Sequence, residues 1–274
     1  MELQSPLSCT QVGMFMKCPA QYEFRYQYGL RIAPSGALIQ GSSYHKALAR
    51  CFNLKMVDQP ADIGDITATL SDAWDKQLAD HELKEGGDAQ TFDKIEWGDE
   101  DPGQLKDEAI ALATLYTQNV APKVEKPDLV EMNEPITVGE IPFVVVADVI
   151  TGARVIDHKM KGKRFSAAEL SQELQPVAYT YSEERRGRPF EYHVALKQKV
   201  PCISTPAQMP SLRIIPSQGD YDWFEVLVSK IAEAIKLGSF PPNPTGWSCS
   251  QKWCGYWNGC RGRYIQQISV PEKV

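Results

Sequence analysis

The sequence predicts a mixed α/β fold, in which a central mixed sheet is flanked by helices and preceded by a helical N-terminal region. Three consecutive runs rich in β-branched residues predict neighbouring strands, at 129–138, 141–150 and 154–160. A helical pattern returns at 166–186, a strand pattern follows at 190–198, and a last helix is predicted at 220–237. Strands that alternate with helices in this way are typical of a sheet covered by helices.

The first 125 residues predict helices rather than strands. Residues 37–56 carry apolar side chains at helical spacing, including Tyr44 and Phe52, and 65–83 and 104–120 have the pattern of amphipathic helices. We therefore expect three regions: a helical N-terminal region at 1–125, a core that contains the sheet at 126–245, and a cysteine-rich segment at 246–274 that docks on the N-terminus.

Composition limits the class of protein. The chain has 274 residues, of which 43% are hydrophobic, enough for a large core. No apolar run reaches the length of a membrane span, and no secretory signal opens the sequence, so we expect a cytoplasmic protein that does not act at a membrane. The net charge of −6 argues against strong general binding of nucleic acid and favours transient contact or loading by a partner.

Two carboxylates and a lysine lie on the predicted hairpin formed by 141–150 and 154–160. Its turn, Thr151-Gly152-Ala153, places Asp148 opposite either Val155 or Asp157, and in both registers Asp148, Asp157 and Lys159 share one face. Converging carboxylates repel each other unless a cation lies between them. With a neighbouring amine, they suit a metal-dependent phosphodiesterase. On the hairpin alone, a strand with a surface Asp–Lys pair fits equally well.

Further motifs stand in a fixed order around this hairpin. Gly41-Ser42-Ser43-Tyr44-His45 places a histidine early in a helix, and a Cys-Pro pair, Cys18-Pro19, opens the chain. The ordered set resembles the RecB-like branch of the PD-(D/E)XK nucleases, which includes RecB and AddB nuclease domains, CRISPR-associated RecB-like exonucleases and phage exonucleases. The set consists of His45, Asp148, Asp157-x-Lys159, Gln175-x3-Tyr179 and a C-terminal cysteine group.

This resemblance implies both a fold and an activity. Residues 126–245 would form a restriction-endonuclease-like core, and the protein would be a metal-dependent DNA exonuclease in recombination, repair or phage DNA processing. His45, Asp148 and Asp157 would bind Mg²⁺ or Mn²⁺, with Asp148, Asp157 and Lys159 as the catalytic residues. Side chains near the pocket would contact DNA, namely Gln175, Tyr179, Lys161, Lys163 and Arg164.

Four cysteines predict a second metal site. Cys249, Cys254 and Cys260 share a segment rich in tryptophan, and Cys18 lies far away in sequence. Four thiolates suit Zn²⁺ or a 4Fe–4S cluster. Structural zinc favours paired cysteine knuckles, whereas the resemblance implies a 4Fe–4S cluster with Cys18 as its fourth ligand; Zn²⁺ stays the alternative. Either group would clasp the two ends of the chain together.

Two functions follow from these observations. The first is the exonuclease, whose partner would be DNA that is single-stranded or has single-stranded ends, possible further partners being a single-strand annealing protein or a helicase. The alternative is a non-catalytic DNA-end-binding subunit of a recombination or spacer-acquisition complex. The intact carboxylates and lysine favour the enzyme. The oligomeric state is left open.

Overall fold

A computed structural model describes residues 5–82, 95–197 and 208–264. In these residues the chain forms a six-stranded mixed sheet with helices on both faces, which confirms the predicted fold class. The strands are β1 Leu7–Ser8, β2 Pro127–Val138, β3 Ile141–Thr151, β4 Val155–Lys161, β5 Phe190–Leu196 and β6 Ser211–Ile214. The α-helices are α1 Cys9–Lys17, α2 Pro19–Tyr22, α3 Gly36–Met56, α4 Ile63–Glu82, α5 Pro102–Asn119, α6 Ala167–Leu170, α7 Gln175–Tyr179 and α8 Gln218–Lys236.

Strand β3 is the centre of the sheet. One of its edges pairs with β2 in antiparallel fashion over nearly its whole length. The other edge is shared: the parallel β1 pairs at Phe143 and Val144, and the antiparallel β4 pairs at Val149 and Ile150. Strand β5 then runs parallel to β4, and β6 runs antiparallel to β5. The shared edge leaves a gap in the ladder between the β1 and β4 pairings.

Each face of the sheet carries one layer of helices. The first layer, formed by α1, α7 and α8, packs on the face that contains Val145 and Val155. The second layer, formed by α3, α4 and α5, packs on the face that contains Val149 and Ile156. Burying one large apolar side chain contributes about 1.5–3 kcal/mol, so these two interfaces hold the fold together. Strand β1 and helix α1 join the sheet and its first layer, while the region boundaries near 125 and 245 stay a prediction.

Local sequence explains where the helices begin. Ser35 accepts a hydrogen bond from the backbone N–H of Leu38 and caps α3, the helix that carries His45. Asp101 caps α5 in the same way. None of the helices within the described residues is long and apolar enough to cross a membrane.

The predicted helix at 166–186 is wrong. The chain instead forms two short helices, α6 and α7, separated by turns. Ser166 and Glu169 form a capping box that starts α6, and Pro176 stands in the first turn of α7, where its missing N–H costs nothing. The short strand β6 was not predicted, and the end of the predicted strand at 190–198 lies partly outside the described residues.

Candidate active site

The candidate site lies where β3 and β4 separate. Their ladder pairs Ile150 with Val155 and Val149 with Ile156, and it stops there. The same register would next place Asp148 opposite Asp157, which is one of the two registers that the sequence predicts. The site therefore occupies the gap in the ladder along the shared edge of β3.

The alternation of side chains in β3 breaks at Asp148. Ala147 packs against the first layer of helices and Val149 against the second, although strict alternation would place both on one face. Across the β2–β3 ladder, the residue that would face Asp148 is Glu131, which adopts a φ of 48° in the left-handed region. Such backbone irregularities are concentrated at functional sites, and this one turns the Asp148 carboxylate away from the regular pattern.

Asp148 is held by two histidines. His45 Nδ1 lies 3.1 Å from Oδ1, and the backbone N–H of His158 donates to Oδ2 at 2.7 Å. Burial would raise the pKa of the Asp148 carboxyl, but the charge of His45 and the hydrogen bonds of both histidines outweigh burial and hold that pKa well below its usual range. In turn, Asp148 raises the pKa of His45 although burial opposes the change.

Asp157 experiences the opposite balance. Its side chain is buried, and burial together with the charge of Asp148 raises its pKa to about 6, although Lys159 opposes the change. Lys159 Nζ lies 2.8 Å from Oδ2 and forms an ion pair with it, and no other described group donates a hydrogen bond to this oxygen. Burial lowers the pKa of Lys159, but Asp157 outweighs burial and the pKa is raised. Lys159 is therefore a charged amine beside the carboxylate.

Helix α7 supports Asp157 from the first layer. Gln175 Nε2 donates to Asp157 Oδ1 at 3.1 Å and to the Tyr179 hydroxyl at 2.9 Å. The Tyr192 hydroxyl lies 3.1 Å from Glu173 Oε2 and 3.3 Å from Gln175 Oε1, so its one hydrogen is shared between these two acceptors. Tyr179 is buried behind Gln175. In this structure Gln175 and Tyr179 thus stand behind Asp157, and their contact with DNA stays a prediction.

The donor types at this site fit a divalent cation. Carboxylate oxygens suit Mg²⁺, and Mn²⁺ also accepts an imidazole, so His45, Asp148 and Asp157 are a chemically suitable set. Asp157 Oδ2, buried and paired only with Lys159 among the described residues, is the atom that such an ion would satisfy. Among the residues that the structure describes, no three His, Cys, Asp or Glu side chains are already placed to hold a metal together. His45 and Lys159 are instead turned toward the carboxylates.

Comparison with known proteins decides the family. A sequence profile described as the PD-(D/E)XK nuclease superfamily matches residues 6–261. The chain belongs to this superfamily. Nucleases of the superfamily hydrolyse nucleic acids and commonly use Mg²⁺ or Mn²⁺, so the family supports a nuclease that acts on DNA.

One solved structure agrees with the fold of this nuclease. A crystal structure of a candidate exonuclease from Eubacterium rectale matches with a TM-score of 0.58 and 12% identity, over 97% of this chain and 90% of that one. The crystal structure of SSO0001 matches with a TM-score of 0.34 and 16% identity, over 79% of this chain and 84% of that one, a likeness too low to carry an argument. No curated protein matches the sequence significantly.

The basic loop of the nuclease follows β4. Lys161 Nζ lies 3.5 Å from the centre of the Phe165 ring and 3.4 Å from a Glu169 oxygen, so this lysine is engaged within the protein. Lys163 is largely exposed and reaches Glu169 only at 4.0 Å. Arg164 is exposed and donates to Gln208. The exposed charges of Lys163 and Arg164 are therefore the better placed for phosphate.

The four predicted cysteine ligands line one cavity, together with Gln21 and other neighbours. All four thiols are free. Burial raises the pKa of Cys260, and the other three thiols add to the increase, as expected for groups that lie close together. The backbone N–H of Asn243 donates to Cys18 Sγ at 3.4 Å, and Gln21 donates to Cys254 Sγ at 3.5 Å. Four thiols that accept hydrogen bonds from N–H groups are chemically suited to an iron–sulfur cluster or to zinc. Among the described residues, however, no three potential metal ligands already stand close enough to share one ion.

Some polar side chains around the site were not predicted. Tyr192 places its hydroxyl beside Glu173 and Gln175, while Tyr116 and His193 form buried hydrogen bonds near His158. Tyr116 stands 42 residues from His158 and 77 from His193, so no local spacing links them. The sequence feature nearest to this part of the structure is His158, the middle residue of the Asp157-x-Lys159 motif.

Proposed function

We propose that this protein is a metal-dependent DNA exonuclease of the RecB-like branch, acting in recombination, repair or phage DNA processing. The observation that carries the proposal is the meeting of Asp148, Asp157 and Lys159 where β3 and β4 separate. A buried and a partly buried carboxylate with opposite pKa shifts, beside an amine, are an arrangement that a structural role does not require. The exonuclease activity and the assignment to the RecB-like branch rest on the motif order in the sequence, because the Eubacterium rectale structure supports the fold alone.

Each side chain of the proposed active site would have a separate role. His45, Asp148 and Asp157 would hold Mg²⁺ or Mn²⁺, which when bound supplies Lewis-acid polarisation of a phosphoryl oxygen and eases the deprotonation of water. Lys159 places a positive charge where negative charge develops on the phosphate. Gln175 keeps Asp157 oriented through its hydrogen bond.

Local charge would bring DNA to this site in spite of the net charge of −6. Lys163 and Arg164 are exposed just after β4, and with Lys161, Gln175 and Tyr179 they form the proposed DNA-contacting set. Because the molecule is acidic overall, we expect transient contact with DNA ends, aided by an annealing or helicase partner in the cytoplasm of a bacterium or of a phage-infected cell.

The cysteine cavity would hold a 4Fe–4S cluster through Cys18, Cys249, Cys254 and Cys260, with Zn²⁺ as the alternative. Hydrogen bonds to the sulfurs, such as those from Asn243 and Gln21, are among the features that tune such clusters. Its role here would be structural, because it would join Cys18 to three cysteines that lie beyond Asn243, which is itself 225 residues away in sequence. The cluster would tie the start of the chain to its end.

The test is digestion of end-labelled single-stranded and double-stranded DNA with Mg²⁺ or Mn²⁺. We expect wild-type protein to shorten the DNA from its ends, and Lys159→Ala to lose roughly 10²–10³-fold in rate or more while still binding DNA. Lys230→Ala is the matched control, because this exposed lysine only pairs with Glu233 on α8. Cleavage by Lys159→Ala at the wild-type rate would contradict the assignment.

The same assay separates the alternative function. Both oxygens of Asp148 are already engaged by His45 and His158, which is the observation that favours a non-catalytic DNA-end-binding subunit. Tight binding of DNA ends by wild-type protein, with no cleavage in Mn²⁺ or Mg²⁺, would support this alternative. End-directed cleavage would exclude it.

A further inference from the structure

A chain of buried polar side chains leads away from Asp148 into the second layer of helices. His158 Nδ1 lies 3.3 Å from Asp148 Oδ2, and His158 Nε2 lies 2.9 Å from the Tyr116 hydroxyl. The same hydroxyl lies 2.7 Å from His193 Nδ1. His158 and Tyr116 are each 1% exposed and His193 is 6% exposed, so water does not replace these bonds. A chain of contacts therefore connects Tyr116 on α5, through His158 on β4, with the proposed metal ligand Asp148.

The chain is anchored at its far end by ion pairs. His193 Nε2 lies 3.3 Å from Glu191 Oε2, and Arg154 Nη1 donates to the same oxygen at 2.7 Å. Arg154 also donates to the half-exposed Glu125. A network with charged groups at both ends holds the polar atoms between them in one arrangement.

Hydrogen-bond chemistry makes the Tyr116 hydroxyl the central element. A neutral imidazole offers one donor and one acceptor, and a carboxylate only accepts. The Tyr116 hydroxyl lies within hydrogen-bond distance of both His158 Nε2 and His193 Nδ1. It donates its one hydrogen to one of these nitrogens, and its oxygen accepts from the other. The hydroxyl therefore holds the His158 ring on the side opposite Asp148, whose Oδ2 lies 3.3 Å from His158 Nδ1.

Packing alone does not hold the His158 ring in this way. The His158 ring stacks on Phe52 at 5.7 Å between centroids and meets the Tyr116 ring edge-on at 5.0 Å. These contacts fix the plane of the imidazole, whereas the hydrogen bond to Tyr116 restrains the ring within that plane. Without the hydroxyl, Nε2 would be a buried polar atom lacking a partner, and the ring would lose the hydrogen bond that holds it on the side opposite Asp148.

We propose that Tyr116 is a positioning residue, which acts through His158 to hold the Asp148 carboxylate in the orientation that binds the divalent cation. The proposal rests on the proposed function of Asp148 as a metal ligand. Partners in the outer shell of a metal site typically change metal affinity or activity by about 10–100-fold when they are removed. Tyr116, His193 and Glu191 extend such a shell 2 to 4 side chains beyond the ligand.

The test is calorimetric titration of Mn²⁺ into the full-length protein without DNA. We expect Tyr116→Phe to raise the Kd for Mn²⁺ by about 10-fold or more. In cleavage assays, the Mn²⁺ concentration that gives half-maximal activity should rise by a similar factor. At saturating Mn²⁺ the site of the variant is filled with metal again, so its kcat should stay within about 3-fold of wild type. A purely structural defect would lower kcat at every Mn²⁺ concentration.

The matched control is Tyr44→Phe. Tyr44 is also a fully buried tyrosine near Asp148, but its hydroxyl has no hydrogen-bond partner among the described residues. Its loss should leave the Kd for Mn²⁺ unchanged. If Tyr116→Phe does not fold, Glu191→Gln at the far end keeps the shape of the chain and should raise the Kd several-fold.

Three results would overturn the proposal, and they are distinguishable. An unchanged Kd for folded Tyr116→Phe, or for Glu191→Gln if that variant has to replace it, would overturn the positioning role alone. Failure of the wild-type protein to bind Mn²⁺ would overturn the metal site itself and the positioning role with it. An equal rise in Kd for Tyr44→Phe would also contradict the role of the hydrogen bond.

Discussion

Asp148 and Asp157 are the same residue type in two opposite environments. Asp148 is stabilised as an anion by His45 and His158, whereas Asp157 is a buried carboxylate whose ionisation is opposed by burial and by Asp148. Two carboxylates whose pKa values are pushed apart in this way are typical of catalytic sites. A divalent cation between them would reverse the balance at Asp157, since the cation favours the ionised form.

This asymmetry predicts stability changes of opposite sign in metal-free protein. The raised pKa of Asp157 costs stability as pH rises from about 4 to 6, and the cost is full above pH 6. The lowered pKa of Asp148 contributes stability above about pH 4, which is lost as pH falls. In EDTA at pH 7.5, Asp157→Asn should therefore raise the Tm and Asp148→Asn should lower it, by about 2–4 °C for each kcal/mol.

The measurement is differential scanning calorimetry of both variants at pH 7.5 and pH 4.5. The gain from Asp157→Asn should shrink at the lower pH, because wild-type Asp157 is then largely protonated in the folded state. Equal destabilisation by the two substitutions at pH 7.5 would contradict the account of the pair.

Single side chains were predicted from sequence where the contact is local or belongs to an ordered motif. Asp157 and Lys159 are two residues apart on one strand, and their 2.8 Å contact follows from strand geometry. Tyr116 and His193 were not found, because their hydrogen bonds join positions on different elements. No periodicity encodes such a contact before the fold is known.

Strands β3 and β4 create the site by separating, and α7 closes it from the first layer. The hairpin register was predictable, since the turn and the apolar runs restrict it to two possibilities. The break in alternation at Asp148 was not, because it depends on the neighbouring backbone of β2. The predicted long helix at 166–186 is wrong for a local reason. Periodicity suggested one helix, but Ser166 caps the short helix α6 and Pro176 starts the separate helix α7.

Helix α7 is expected to matter through Gln175. Gln175→Ala removes the hydrogen bond to Asp157 Oδ1, so affinity for Mn²⁺ or the cleavage rate should fall by about 10–100-fold. Gln172→Ala is the control, because this exposed glutamine precedes the helix. Mn²⁺ titrations and initial rates should be measured for both. Identical values for Gln175→Ala and wild type would show that Asp157 does not need this support.

The assembled chain brings its beginning and its end together. Cys18 meets the segment that carries the other three cysteines, and Tyr256 stacks on Phe24 at 5.4 Å and donates to the Leu30 carbonyl. The fold class was predictable from element order, whereas the meeting of Cys18 with the other three cysteines was implied only by the family resemblance. The short strand β1 was not, because two residues carry no periodic pattern and gain their structure from β3.

The clasp predicts a loss of stability when one thiol is removed. A cross-link that closes nearly the whole chain contributes about 4–5 kcal/mol in the chain-entropy model for disulfides, and coordination adds to it. Cys254→Ser should lower the Tm and solubility and remove the brown colour of an iron–sulfur cluster, whereas Cys51→Ala should keep the colour, since Cys51 lies in the second layer. Metal analysis and absorption spectra of anaerobically purified protein are the measurements. A colourless protein that contains zinc would exclude the iron–sulfur proposal in favour of the alternative.

The account as a whole depends on a divalent cation at the point where β3 and β4 part. Anomalous diffraction from crystals soaked in Mn²⁺ locates that ion without reference to activity. We predict a single strong peak between Asp148 and Asp157, roughly 2 Å from an oxygen of each and within reach of His45. A crystal soaked in saturating Mn²⁺ that shows no peak at either carboxylate, with His45 and Lys159 still turned toward them, would contradict the proposed metal site.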